Sequence, residues 1–201
     1  MPKVIDHEQR RRDIVEVAKK LILEGGFEAA TMRSIASEAG FANGALKHYF
    51  PGKETIVAAT FESVLAEMSE ALSSPMADAD ELQQLRSYLE GSLPLDEHRV
   101  NSGRVLLALW EYAMSNTDLA DLYRRHLTGW QAQLVTLIRR ARQSTGVKLE
   151  QTDEQLATEV ISVTIGSNVM SLMYPGGEKG PDYQAYVDHF IERLSASVDV
   201  V

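Results

Sequence analysis

Cysteine is absent from this chain of 201 residues. That excludes a disulfide scaffold, a thiol redox sensor and any cysteine-ligated metal site. No apolar run approaches the ~20 residues of a membrane-spanning helix. Met1-Pro2-Lys3 leads into a polar stretch without a secretory pattern, so a cytoplasmic protein is expected. No segment alternates apolar and polar residues over the length of a strand, and the expected fold class is all-α. Glu-x-x-His pairs are missing, and His7-Glu8 lacks the second histidine of a His-Glu-x-x-His site. A Gly-rich phosphate loop and a serine-nucleophile motif are missing too. The expectation is therefore no catalytic residue, no metal and no cofactor.

Positive charge is also scarce: 20 Lys and Arg face 29 Asp and Glu, a net charge of −9. The imbalance is unevenly spread. Through Ile56 nine basic residues face eight acidic ones, whereas the remainder holds eleven against twenty-one. The N-terminal part is thus near neutral and the acidity belongs to the rest. An acidic body disfavours docking of a polyanion in the wrong orientation.

What is present is helical periodicity. Ile14, Val17, Ala18, Leu21 and Ile22 mark a helix over about Glu8 to Glu24, closed by Gly25-Gly26. Thr31 is a good N-cap for a short run whose apolar face is Ile35, Ala36 and Ala39. Gly40 follows the last periodic residue and suits the left-handed conformation that ends a helix. Phe41 is expected to point into the core. A second helix from Ala42 or Asn43 has an inner face of Leu46, Tyr49 and Phe50 and leaves Asn43, Gly44, Lys47 and His48 outward. Pro51 halts it, and Lys53 opens the next helix. Two short helices across a tight turn, the second with a polar, basic outer face, form a helix-turn-helix pattern that places its second helix in a DNA major groove.

The first fifty-odd residues resemble the DNA-binding domain of the TetR family of bacterial transcriptional regulators. The resemblance rests on Gly26-Phe27, Thr31-Met32-Arg33-Ser34-Ile35-Ala36, Ala39-Gly40-Phe41, Gly44-Ala45-Leu46 and His48-Tyr49-Phe50-Pro51-Gly52-Lys53-Glu54. Three positions depart from the family's usual pattern: Ala42 stands where Ser is usual, Ala45 where Thr is common, and Lys47 where Tyr is common. For DNA binding, Thr31, Tyr49 and Lys53 are the candidate phosphate anchors. Arg33, Asn43, Lys47 and His48 are the candidate base readers, since Asn pairs with adenine edges and Lys or Arg with guanine edges. Gly44 and Ala45 allow close approach to the groove. Asn43 serves equally as a helix cap. Arg10, Arg11 and Arg12 either reach the DNA backbone or an adjacent minor groove, or form a solvated helix start.

Helices are expected over Lys53–Leu72, Asp78–Ser92, Arg104–Ser115, Asp118–Ser144, Thr152–Met173 and Asp182–Val198. Breaks fall at Ser73-Ser74-Pro75, Pro94, Gly146 and Pro175-Gly176-Gly177. The Arg104–Ser115 segment is nearly apolar all round, the pattern of a buried helix. Pro94-Leu95-Asp96, Leu109-Trp110-Glu111-Tyr112-Ala113, Leu122-Tyr123-Arg124, His126, Trp130 and Gly166 resemble the BetI-type effector domain, that of repressors related to the choline–betaine pathway regulator.

These readings combine into an N-terminal three-helix helix-turn-helix domain, residues 1–52, followed by a helical bundle for ligand binding and dimerisation, residues 53–201. The candidate ligand residues are Leu107, Trp110, Glu111 and Met114, which share one helix face, with Trp130, Asn168 and Met173. Alternatively Trp110, Met114, Asn168 and Met173 belong to a core or interface, and Glu111 is a surface or paired acid. The expected partners are a double-stranded DNA operator, a small-molecule effector that is apolar or aromatic or carries a cation, and a second copy held through the last two long helices, where Ser162 and Gly166 allow close approach. No membrane partner is expected. The function implied is a ligand-responsive repressor. The competing classes are an all-α enzyme and a helical adaptor without DNA binding, from which salt-sensitive, sequence-specific DNA retention separates it.

Overall fold

The computed structural model describes residues 7–42, 44–73, 79–174 and 176–195. These residues form eight α-helices and two short 3-10 turns, and no strand occurs among them. The helices are α1 (His7–Gly25), α2 (Met32–Glu38), α3 (Lys53–Ser73), α4 (Glu81–Ser92), α5 (Glu97–Met114), α6 (Thr117–Thr145), α7 (Asp153–Ser171) and α8 (Gly180–Ser195). The all-α class read from the sequence is the one observed. The chain divides into two compact units, Met1–Ala66 with Arg104–Leu122, and Glu67–Gly103 with Tyr123–Val201.

The first unit is built from short elements whose ends are chemically specified. Ile14, Val15, Ala18 and Ile22 are the buried face of α1, which packs against α2 and the 3-10 turn Phe27–Ala29. Thr31 caps α2 reciprocally with Ser34: its hydroxyl accepts from the Ser34 N–H at 3.0 Å, and its own N–H donates to Ser34 Oγ at 2.9 Å. At the other end Gly40 takes φ +72°. The Phe41 N–H reaches back to the Ala36 carbonyl at 2.8 Å, and the Gly40 N–H to Ser37 at 3.3 Å. This double closure needs a left-handed residue between α2 and the next turn. Ala30, Ile35, Ala36, Leu46, Phe50, Ile56, Val57 and Phe61 are buried.

The second unit is a bundle of α4, α6, α7 and α8 with the start of α5. Leu85 and Leu89 of α4, Leu134 and Ile138 of α6, Leu156 and Val160 of α7, and Val187 and Phe190 of α8 meet in one apolar cluster. Each such side chain contributes about 1.5–3 kcal/mol by leaving water. Asp80 caps α4 through Gln83, and Thr152 caps α7 through Gln155, both reciprocally. Arg142 joins the end of α6 to the start of α7 by bonding Asp153 at 2.8 Å and the Gln151 carbonyl at 3.0 Å.

Two segments differ from expectation. The expected recognition helix is only a 3-10 turn, Ala45–His48, preceded by Gly44 without a side-chain cap. Ala42 and Gly44 carry no oxygen to satisfy the first amides. Among the described residues, the Tyr49 and Phe50 N–H groups both reach the Leu46 carbonyl at 3.0 Å, the bonds of a tight turn. Helix α5 begins at Glu97, seven residues before the expected Arg104, because the Asp96 carboxylate accepts from the Arg99 N–H at 2.9 Å and nucleates a polar first turn. The Ser74-Pro75 part of the expected α3 stop, the Asp78 start of α4, the Pro175 stop of α7 and the Val198 end of α8 lie outside the described residues.

Candidate functional site

The turn that carries the candidate base readers is held from outside its own sequence. Arg11 of α1 donates a hydrogen bond to the Tyr49 carbonyl at the end of the turn. Its guanidinium also lies 4.2 Å from the centre of the Phe50 ring. A cation at the carbonyl end of a helical turn meets both the orphan carbonyl and the local dipole. Tyr49 is half-buried, its ring 5.2 Å from His7 and 5.4 Å from Phe41. Phe41 thus packs on Tyr49 at the edge of the core, with Arg10 5.7 Å from its ring centre. Of the three arginines, Arg11 is a structural clamp, and Arg12 bonds its neighbour Gln9 at 2.9 Å.

With the turn held this way, Lys47, His48 and Gly44 are exposed, and Ala45 is half-buried between them. Arg33 is exposed on α2. None of Arg33, Lys47 and His48 makes an ion pair among the described residues. Asn43 lies outside the described residues. Thr31 is exposed, but its hydroxyl is already committed to the α2 cap. Lys53 differs from the other cations: its side chain is only 25 % exposed. Its ammonium lies 4.0 Å from the centre of the Phe27 ring, 3.4 Å from the Phe27 carbonyl and 3.8 Å from the Glu28 carboxylate.

The candidate ligand residues of α5 belong to the first unit. Leu107 and Trp110 are half-buried there, whereas Glu111 is exposed and Met114 is 62 % exposed. Candidate residues of the second unit fall in different settings. Asn168 is committed to helix packing: its amide donates to the Thr164 carbonyl at 2.9 Å, and its oxygen would lie 2.3 Å from a Cβ at Gly103. A Cβ at this point would force the Asn168 side chain to shift. Met173 is 73 % exposed and continues an apolar strip with Val169, Met170, Leu172 and Tyr174.

Trp130 is the buried centre of an aromatic and polar cluster. Its indole N–H donates to Ser69 Oγ at 2.8 Å, and Ser69 Oγ lies 2.9 Å from His126 Nδ1. The Tyr88 hydroxyl donates to the Trp130 carbonyl at 3.1 Å, and Tyr123 meets the indole edge-on with centroids 6.5 Å apart. Burial raises the pKa of both tyrosines, so both stay neutral hydroxyls at physiological pH. A cavity of about 40 Å³ opens here, lined by Met68, Leu72, Tyr88, Trp130, Val160 and Thr164 among others. Nothing local in the sequence announces Ser69 or Tyr88 as neighbours of Trp130, because both lie more than forty residues from it.

A helix-turn-helix with its cations outward defines a DNA-reading class of fold. Residues 14–60 match the family model described as bacterial regulatory proteins, tetR family, and residues 81–196 match the BetI-type transcriptional repressor, C-terminal. The chain belongs to the TetR family of bacterial regulatory proteins, with a BetI-type C-terminal domain. It is 34 % identical over 122 residues to the HTH-type transcriptional regulator PksA of Bacillus subtilis, covering 60 % of each chain. It is also 34 % identical over 128 residues to the BetI regulator of Stenotrophomonas maltophilia, covering 62 % of this chain and 64 % of that one. The matches thus span 60–64 % of the length of these curated relatives. Among solved structures, a putative transcriptional regulator from Saccharomonospora viridis in complex with choline superposes with a TM-score of 0.80 at 25 % identity, covering 92 % of this chain and 96 % of that one. A transcriptional regulator from Rhodococcus sp. Rha1 shares the fold with a TM-score of 0.79 at 22 % identity, covering 95 % and 98 %.

Proposed function

We propose that this protein is a ligand-responsive DNA-binding repressor that works as a homodimer in the cytoplasm. The observation that carries the reading is the recognition turn: Arg33, Lys47 and His48 stand exposed beside a turn that Arg11 and Phe50 hold in place. Arg33, Lys47, His48 and Asn43 read base edges, and Tyr49, Thr31 and Lys53 meet phosphates. Gly44 and Ala45 keep the turn thin enough to enter the groove. Residues 1–52 perform this reading, and residues 53–201 bind effector and pair the subunits.

The dimer forms through α7 and α8. Its support is the exposed apolar strip from Val169 to Tyr174, since contiguous exposed apolar surface of this kind is normally covered in a partner contact. Two recognition turns in a two-fold dimer read half-sites about 34–36 Å apart, one turn of DNA. The effector is a small apolar or aromatic compound or an organic cation. Trp130 and Tyr88 offer it an aromatic lining, and a relative at 25 % identity was crystallised with choline. Within the first unit, Leu107, Trp110, Glu111 and Met114 of α5 are a separate candidate set for effector binding. Because the effector favours one state over another only by binding it better, it must prefer the conformation whose heads miss adjacent grooves.

The test is selection of duplexes from a random pool, followed by anisotropy titration of the enriched sequence against salt. Specific retention that weakens steeply with salt, and that choline or an aromatic quaternary ammonium relieves, is the expected result. Retention of no duplex at any salt concentration would remove the DNA-binding reading. Retention that no such compound relieves would remove the effector class.

A further inference from the structure

We propose that Phe27 and Tyr112 are positioning residues for Lys53, so that α5, the helix of the candidate effector residues, directly sets the seat of a DNA phosphate anchor. The inference rests on the reading of Lys53 as a phosphate contact.

Lys53 opens α3, and its ammonium is held by Phe27 twice, 4.0 Å from the ring centre and 3.4 Å from the carbonyl. Glu28, at 3.8 Å, is too distant for a hydrogen bond and is itself almost fully exposed. An ammonium has three protons; the Phe27 carbonyl takes one, and the ring face takes none in line. A lysine held in this way keeps protons for a phosphate and loses less rotamer freedom on meeting it than a free lysine does.

The holder itself needs support. Phe27 sits in a three-residue 3-10 turn between Gly26 and Ala30, with no side-chain cap. Its ring stacks on Tyr112, with centroids 5.4 Å apart and planes 25° apart. Tyr112 belongs to α5, directly beside Glu111 and two residues from Trp110. A displacement of α5 that moves Tyr112 therefore moves the ring on which Lys53 rests. No path through the bulk of the protein is required: the contact is Tyr112 to Phe27 to Lys53.

A double-mutant cycle on random-sequence duplex DNA tests this, read by anisotropy across a salt series. Tyr112→Leu should weaken binding about threefold to tenfold and flatten the salt dependence by up to about one phosphate contact. Tyr112→Phe, which keeps the ring, should bind as the parent does. In a Lys53→Met background Tyr112→Leu should change nothing further. Phe27→Leu provides a second route to the same loss should Tyr112→Leu melt at a lower temperature. An equal loss in both backgrounds, or no loss from either ring substitution, would overturn the inference while leaving DNA binding intact. Failure of the parent protein to bind duplex DNA would overturn the phosphate reading of Lys53, and this inference with it.

Discussion

The second compact unit and the short turn of the first are held in different ways. The second unit gathers leucines, isoleucines and Phe190 from four helices into one apolar cluster, and polar links such as Arg142 to Asp153 join its helices. In the first, the part proposed to face DNA is a turn of four residues with one buried side chain, Leu46. It has too little apolar surface to hold itself. What holds it comes from α1: the Arg11 bond to Tyr49, the Arg11 contact with Phe50 and the packing of His7 on Tyr49. A large core tolerates loss of detail at its surface, whereas a thin reading turn depends on a few directed contacts.

The sharpest break of the comparison is Leu134→Ala in the second unit. It should cost about 2–5 kcal/mol in chemical denaturation, because a fully buried leucine leaves a cavity in a packed cluster. Arg11→Met is the counterpart in the first unit. Loss of a charge-assisted bond and a ring contact should remove roughly 1.5–3 kcal/mol from duplex binding while shifting the melting temperature little. A melting shift as large as that of Leu134→Ala would erase the proposed contrast between the two units.

Lys47→Ala should lower affinity for the selected operator by about 1–3 kcal/mol and affinity for random duplexes far less. Equal losses on both DNAs would make Lys47 a phosphate contact. Thr31→Ala should cost about 1 kcal/mol of stability through the α2 cap, by thermal melting. Were Thr31 mainly a phosphate anchor, duplex affinity would fall more than stability.

The smallest effect is alkaline. Burial raises the Tyr88 pKa, so the fold favours its neutral form. The resulting stability is complete below the unfolded tyrosine pKa of about 10 and is lost as pH rises above it towards the folded value. Tyr88→Phe should therefore flatten the decline in unfolding free energy above pH 10, at the expense of the bond to Trp130. An unchanged slope would place the alkaline sensitivity at other tyrosines.

Much of the scaffold was legible because its signals are local. Thr31, Gly40 and Thr152 do at helix ends what their chemistry predicts, through bonds that span three to five residues. Leu46 and Phe50 are buried where the helical spacing puts them. The candidate DNA residues were legible only as a set. Lys47 and His48 are outward as expected, but the helix assigned to them is a 3-10 turn over Ala45–His48. The reading of Trp130 as a candidate ligand residue carried none of its partners, since Ser69 is 61 residues away along the chain.

The amino-acid sequence by itself determined that the chain is helical, where most of its helices begin and end, and that a helix-turn-helix pattern opens it. Those properties depend on periodicity and on capping chemistry within a single turn of backbone. Only the tertiary structure decided that Arg11 serves the recognition turn and that Lys53 rests on Phe27. It alone decided that Asn168 fills the space a missing Cβ leaves at Gly103, and that Trp130 bonds Ser69. These contacts join residues far apart in sequence. Which of many compatible side chains meet is set by how the helices pack, and no local pattern encodes that.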